Sequence, residues 1–184
     1  MTPRETSRLV LTTPAPADAA EIFERYASDP EVTRFMAWPR HRSIADTQDF
    51  LAFSAAEWAR WPAGPLLIRA RADGRLVGST GFAFSHPAEA MTGYVLARDA
   101  WGQGLATEAL GAVVDLARDL KVARLYAPFH PDNHASRRVL EKCGFTRDAS
   151  YAATHEFPNL APGMLLGVES YELMLNAVGD RGQK

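Results

Sequence analysis

The stretch Gly93-Tyr-Val-Leu-Ala-Arg-Asp-Ala-Trp-Gly-Gln-Gly-Leu-Ala-Thr-Glu-Ala109 reads as a strand that runs through a glycine turn into a helix. Gly93–Ala97 is short and apolar, as a central strand is. From Gly104 to Lys121 the apolar residues Ala106, Leu110, Val113, Ala117 and Leu120 fall on one helical stripe. Gly102 and Gly104 stand between the two elements, where glycine permits positive φ and close approach of a ligand to the backbone. The helix start leaves N–H groups unpaired and carries positive partial charge, so the turn suits an anion such as a pyrophosphate. The alternative is a glycine turn used only to pack strand against helix. Tyr94-Val95-Leu96-Ala97 can offer backbone to an extended ligand arm. Two other phosphate motifs fail. The dinucleotide pattern G-x-G-x-x-G/A needs Gly or Ala where Thr107 stands, and Val122–Leu125 has no acidic residue for the ribose. The P-loop pattern does not occur.

Working outward from this unit, Arg8–Thr13 predicts an opening strand and Asp18–Ala27 a helix ended by the Asp29-Pro30 step. Phe35–Arg42 is a loop, and Ser43 is placed to cap a helix running to about Arg60. Leu66–Arg71 and Arg75–Phe84 flank Asp73-Gly74, a hairpin signal. Arg124–Phe129 predicts a strand and Asp132–Cys143 a helix closed by Gly144. Phe145–Phe157 and Leu166–Leu175 are two further strand candidates. The order is strand, two helices, three strands, helix, strand, helix, two strands. That predicts a mixed α/β sheet in one domain over 1–184, with a core over about 8–176.

The 184 residues suffice for one real core, and 47% apolar with 23% charged residues is ordinary for a globular protein. A net charge of −2 gives no global field toward nucleic acid or membrane. Cys143 is the only cysteine, which excludes an intrachain disulfide and a cysteine-cluster zinc site; no metal is expected. No signal-like N-terminus or apolar span is evident, so the expected setting is the cytoplasm, as a monomer or homodimer.

A second constellation is Phe129-His-Pro-Asp-Asn-His-Ala-Ser-Arg-Arg-Val-Leu-Glu-Lys-Cys-Gly-Phe145, a strand end, a turn and a helix. Asn133 carries donors and an acceptor that can pair with amides, and Ser136 can give one hydrogen bond. Asp132 or Asn133 caps the helix on the plainer reading. Together, Gly93–Ala109 and Asn133–Phe145 resemble the GNAT N-acetyltransferases, and within them the RimJ/RimL-like branch. The order of elements fits from Arg8 to Leu175. Thr33-Arg34-Phe35-Met36 and Gly78-Ser79-Thr80-Gly81-Phe82 also look typical. The family pattern Q/R-x-x-G-x-G/A falls on Trp101 to Ala106, with Trp101 in place of Gln or Arg.

The resemblance implies a predominantly antiparallel sheet with a splayed central strand pair, flanked by helices. It implies acetyl-CoA as co-substrate and transfer of acetyl to a primary amine, on a small molecule or a protein N-terminus. Trp101, Gly102, Gln103, Gly104, Leu105, Ala106 and Thr107 would hold the pyrophosphate. Val95 and Leu96 would pair with pantetheine, Asn133 would contact the arm, and Ser136 would lie near the thioester sulfur. The alternative is a non-catalytic acyl-CoA-binding regulatory module.

Amide formation needs a neutral amine, a polarised carbonyl and a stabilised thiolate. Many relatives protonate the thiolate with a tyrosine of the helix after the Asn motif. That helix has none here, so Ser136 is the candidate, or else a binding hydroxyl. The slot where relatives often carry a basic Glu is Met91. Glu89, two residues earlier, shares that strand face and is the substitute, unless it is a surface carboxylate of the Ser85–Ala90 loop. His130 is the best placed of the histidines considered, the others being His86 and His134. Trp38 and His41 are acceptor-binding candidates, with packing of Trp38 as the alternative. Cys143 reads as core, and Arg137-Arg138 as a solvated face from which one arginine can reach a phosphate.

Overall fold

The computed structural model describes residues 3–175; the ends of the expected 1–184 domain and core, 1–2 and 176–184, lie outside the described residues. The chain opens with β1 (Arg4–Glu5) and β2 (Leu9–Thr12). A 3-10 turn (Pro16–Asp18) leads into α1 (Ala19–Ile22), which widens into a π turn (Phe23–Ala27). The Asp29-Pro30 step both ends this run and starts α2 (Pro30–Thr33). The Asp29 carboxylate accepts from the N–H groups of Glu31 and Val32, and proline takes the first helical position, where no N–H is needed. Next comes α3 (Ile44–Arg60), whose entry is held by Asp46 accepting from the N–H groups of Arg42 and Ser43. There follow β3 (Pro65–Ala70), β4 (Leu76–His86), β5 (Glu89–Leu96), α4 (Leu105–Asp119), β6 (Arg124–Phe129) and α5 (His134–Lys142). The chain ends in β7 (Thr146–Arg147), β8 (Thr154–Glu156), β9 (Leu165–Gly167) and β10 (Glu169–Met174).

One sheet runs β1-β2-β3-β4-β5-β6-β10-β7, and β8 and β9 form a separate hairpin. Every pairing is antiparallel except β5 with β6. That parallel pair spans only Glu89↔Arg124, Ala90↔Leu125 and Met91↔Tyr126. Beyond Met91 the two strands part in a V, while β5 stays zipped to β4 and β6 to β10. Pro128 has no N–H to donate, and it stands where β6 borders the opening. One face of the sheet is covered by α4 and α5; Leu110, Val113 and Ala117 of the expected stripe are fully buried there. On the other face a second cluster joins Ile22, Tyr26, Val32 and Leu51 to Leu67 and Leu76.

Three expectations need correction. The Ser85–Ala90 loop is a two-residue turn, because β4 extends to His86 and β5 begins at Glu89. Phe145–Phe157 is not one strand: Asp148 accepts from the N–H and hydroxyl of Ser150, a local turn that competes with the ladder after two residues. Leu166–Leu175 divides at Val168, with β9 pairing β8 and β10 pairing β6 and β7.

Candidate active site

The turn before α4 is held open by its own side chains. Gly102 has φ 72° and Gly104, the helix cap, φ 74°, both in the region that favours glycine. The Trp101 indole N–H donates to the Leu96 carbonyl at 2.8 Å, and the Gln103 amide donates to the Asp99 carbonyl at 2.7 Å. Both side chains thus fold back onto the preceding backbone, with Trp101 still half exposed. A Cβ added at Gly102 would meet nothing within 4 Å. Residues 102–107 therefore form a glycine-capped helix start, whose first N–H groups have no partner within the helix.

Arg8 braces this turn from β2's approach. Its guanidinium donates to the Gln103 carbonyl at 2.9 Å and pairs with Glu108 at 2.6 Å. Glu108 also accepts from the Thr6 and Ser7 hydroxyls and the Arg8 N–H. Burial pushes this carboxyl up, but the bonds from Thr6 and Arg8 outweigh it and hold it at about 2. Arg8 is half exposed and adds a cation beside the anion-ready turn. No local motif marks it, because it lies 95 residues from Gln103. Arg137, by contrast, is committed elsewhere: one-third exposed, it pairs with Glu169 of β10 at 2.9 Å.

The V between β5 and β6 holds a 420 Å³ cleft. Tyr94, Asn133, Ser136 and His155 line it, within apolar walls that include Phe35, Phe129 and Phe157. Asn133 is the cap of α5: its carbonyl oxygen accepts from the Ser136 N–H at 3.1 Å. The Ser136 hydroxyl borders the cleft, and its backbone carbonyl accepts from the Tyr94 hydroxyl at 2.9 Å. Thus a tyrosine hydroxyl does stand beside α5, but β5 supplies it rather than the helix. Burial pushes the Tyr94 phenol up, so it remains a neutral donor at neutral pH.

Along β5, the Ala97 N–H bonds to Val77 of β4. Backbone groups alternate in direction along a strand, so Val95 also turns its backbone to β4, whereas Tyr94 and Leu96 turn theirs to the opening. Val95 meets the cleft through its side chain. The Leu96 carbonyl is already taken by Trp101.

Two catalytic candidates are not brought to the cleft wall. Glu89 lies in the last pairing at the closed end of the V, and its carboxylate is bound by Arg124 at 3.0 Å. Gly93 is four residues further, roughly 13 Å along an extended strand. Arg124 also binds Glu172 at 2.6 Å and Asp148 at 2.7 Å, so Glu89 belongs to a structural charge cluster. His130 is only 9% exposed. Its ring stacks on Phe35 at 5.2 Å and meets Phe157 edge-on at 5.0 Å, and Nδ1 accepts from the Asp132 N–H at 3.2 Å. It backs Phe35 and Phe157, two of the phenylalanines that line the cleft. The imidazole that lines the cleft is His155, on β8, with Nε2 3.3 Å from the Tyr151 hydroxyl. Sequence reasoning passed over it because β8 has no pattern of its own and reaches the cleft only through the fold.

Beyond the cleft lies a second cavity of 610 Å³, bordered by Trp38, His41, Ser79 and Val95. Trp38, Ser79 and Val95 line both spaces, so they form the junction. Trp38 and His41 pack at 5.3 Å. Burial lowers the His41 imidazole below its ordinary range, although Asp46 opposes this; Nδ1 lies 2.8 Å from the Thr47 hydroxyl. Asn159 staples this wall in place, donating to the carbonyls of Thr33 and Trp38 and accepting from the Arg40 N–H. Cys143 is core-facing: its thiol donates to the Thr107 carbonyl at 3.5 Å and burial pushes it up. Among the described residues, no group of three or more His, Cys, Asp or Glu could hold a metal, and no helix is long and apolar enough to cross a membrane.

Comparison with known proteins agrees with this geometry. A family model described as an acetyltransferase (GNAT) domain matches residues 8–146. The uncharacterized N-acetyltransferase YoaA of Bacillus subtilis (strain 168) is 32% identical over 153 residues, covering 78% of this chain and 82% of its own. The uncharacterized N-acetyltransferase p20 of Bacillus licheniformis is 26% identical over 158 residues, covering 84% and 86%. Among solved structures, the microcin C7 self-immunity acetyltransferase MccE, in complex with acetyl-CoA and AMP, shares the fold with a TM-score of 0.80 at 22% identity, over 92% of this chain and 94% of its own. With its single parallel pair opening beside a glycine-capped helix, this chain belongs to the GNAT acetyltransferase family.

Proposed function

We propose that the protein transfers acetyl from acetyl-CoA to a primary amine, in the manner of the RimJ/RimL-like branch. The observation that carries this reading is that β5, once parted from β6, runs into the glycine turn that starts α4 and is tied to it by the Trp101–Leu96 bond. Backbone N–H groups of Gly102 to Thr107, with Trp101 and Gln103 bracing them and Arg8 alongside, bind the pyrophosphate. The backbone of Tyr94 and Leu96 and the side chain of Asn133 receive the pantetheine arm. That the fold-sharing MccE holds acetyl-CoA supports this choice of co-substrate.

In the reaction, the amine nitrogen attacks the thioester carbonyl carbon, the C–S bond breaks, and the sulfur leaves as thiolate. Ser136 hydrogen-bonds the sulfur and helps deliver its proton, while Tyr94, whose one O–H donates to the Ser136 carbonyl, holds that residue in place. His155 receives the proton lost by the amine, directly or through a water, with Tyr151 orienting its ring. This assigns the base to His155 in place of Glu89 and His130. Trp38 and His41 border the acceptor. Much of the rate comes from holding the two substrates in one cleft.

The test is thiol release from acetyl-CoA with a panel of amines, alongside thermal shift. Stabilisation by acetyl-CoA with thiol release only when an amine is present supports the reading. Tight binding with no release on any acceptor favours a non-catalytic acyl-CoA-binding module, and stabilisation by NAD(P) but not by CoA sinks both.

A further inference from the structure

The 610 Å³ cavity beside the cleft bears on which amine is used. Its walls are apolar: Ile22, Trp38, Phe50, Phe53 and Val95. Phe50 and Phe53 lie one turn apart on α3, Phe50 packed beside the buried Leu51 and Phe53 turned further toward water. Phe53 is 53% exposed, a large apolar group left in water at the cavity mouth.

At the inner end lies Tyr26, 2% exposed. Its hydroxyl sits beside Ser79, which donates to the Leu66 carbonyl at 3.1 Å, and is shut off from solvent. Tyr26 thus closes the inner end of the cavity and offers no accessible hydroxyl there.

Charges at the rim offset one another. Arg40 and Arg42 face Asp46 and Asp49, and Asp46 is already committed to the N–H groups of Arg42 and Ser43. A polycation would find one uncommitted carboxylate and two like charges. A small amine would leave apolar walls facing water.

We propose, resting on the acetyltransferase reading, that the acceptor amine is carried on a bulky apolar body of aromatic size. The cavity holds that body, and the amine reaches the cleft past Trp38, Ser79 and Val95.

The full chain is assayed for thiol release with matched pairs: phenylalanine amide against alanine amide, peptides beginning with Phe against peptides beginning with Ala, and spermidine. The expected kcat/KM is about 10- to 100-fold higher for the aromatic member, the range that burial of a Phe-sized group supplies. Preference in the free amides or in the peptides tells which carries the body; either supports the proposal. Phe53→Ala, at an exposed position, lowers the aromatic-to-alanine ratio through KM. Equal turnover of alanine amide or spermidine overturns the proposal and leaves acetyl transfer standing. Where no panel amine reacts, thermal shift of the CoA-saturated protein decides: greater stabilisation by phenylalanine amide supports the proposal, and equal shifts overturn it. Failure of acetyl-CoA itself to bind is the separate failure of the acetyltransferase reading.

Discussion

The two ends of the β5–β6 pair differ in kind. At the closed end the strands touch, and Arg124 gathers Glu89, Asp148 and Glu172 within 3.0 Å. At the open end the strands part, and the polar residues lining the cleft, among them Tyr94, Asn133, Ser136 and His155, include no Asp, Glu, Lys or Arg. Formal charge holds the V shut, and hydrogen-bonding groups furnish its mouth. A carboxylate at the closed end is thus structural even though it shares a strand with the site.

The sharpest test of this division exchanges His155 for Gln. Under the proposed mechanism kcat falls at least about 100-fold, in the range of lost general-base catalysis. An unchanged kcat would break the assignment. Glu89→Gln should leave kcat nearly unchanged.

Next comes the closed end. Arg124→Ala strands the Asp148 carboxylate, whose side chain is 4% exposed, together with Glu172 and Glu89. Removing one partner of a fully buried pair costs about 3–5 kcal/mol; the partial exposure of Arg124 reduces the expectation to about 2–3 kcal/mol, read as a lower urea midpoint. If stability held and only kcat fell, the closed end would be catalytic after all.

A smaller effect is expected at the brace. Arg8→Ala should raise KM for acetyl-CoA about 10-fold, with a smaller change in kcat, and the loss should shrink at high salt.

The smallest effect is in the pH dependence of stability. Glu108 is held at about 2, below its ordinary 4.5, so its bonds stabilise the fold above pH 4.5 and are lost as pH falls toward 2. After allowance for solvent screening this amounts to about 1–2 kcal/mol. Glu108→Gln should flatten that part of the acid-unfolding curve.

Much of the frame was legible in the chain. The glycine turn, the α4 stripe and the Asn133 cap are local patterns, because φ at Gly104, the period of Leu110 and Val113, and a bond from Ser136 to Asn133 each involve residues a few positions apart. Pro128 was a readable sign of the open edge that went unused. The catalytic choices fared differently. Glu89 shares a strand face with Met91, and periodicity alone could not say that the strands still touch there. His130 ends a strand beside the motif, and only packing turns its ring between Phe35 and Phe157.

The sequence by itself determined the order of the longer elements from β2 to α5, the anion-ready turn and the α5 cap, since each depends on short-range geometry and hydrophobic period. Tertiary structure alone decided which side chains share the cleft. Arg8 reaches Gln103 from 95 residues away, Tyr94 meets Ser136 from 42, and His155 arrives on a hairpin outside the main sheet. Such contacts are set by where strands part and how loops fold back over the opening, and no local pattern encodes them.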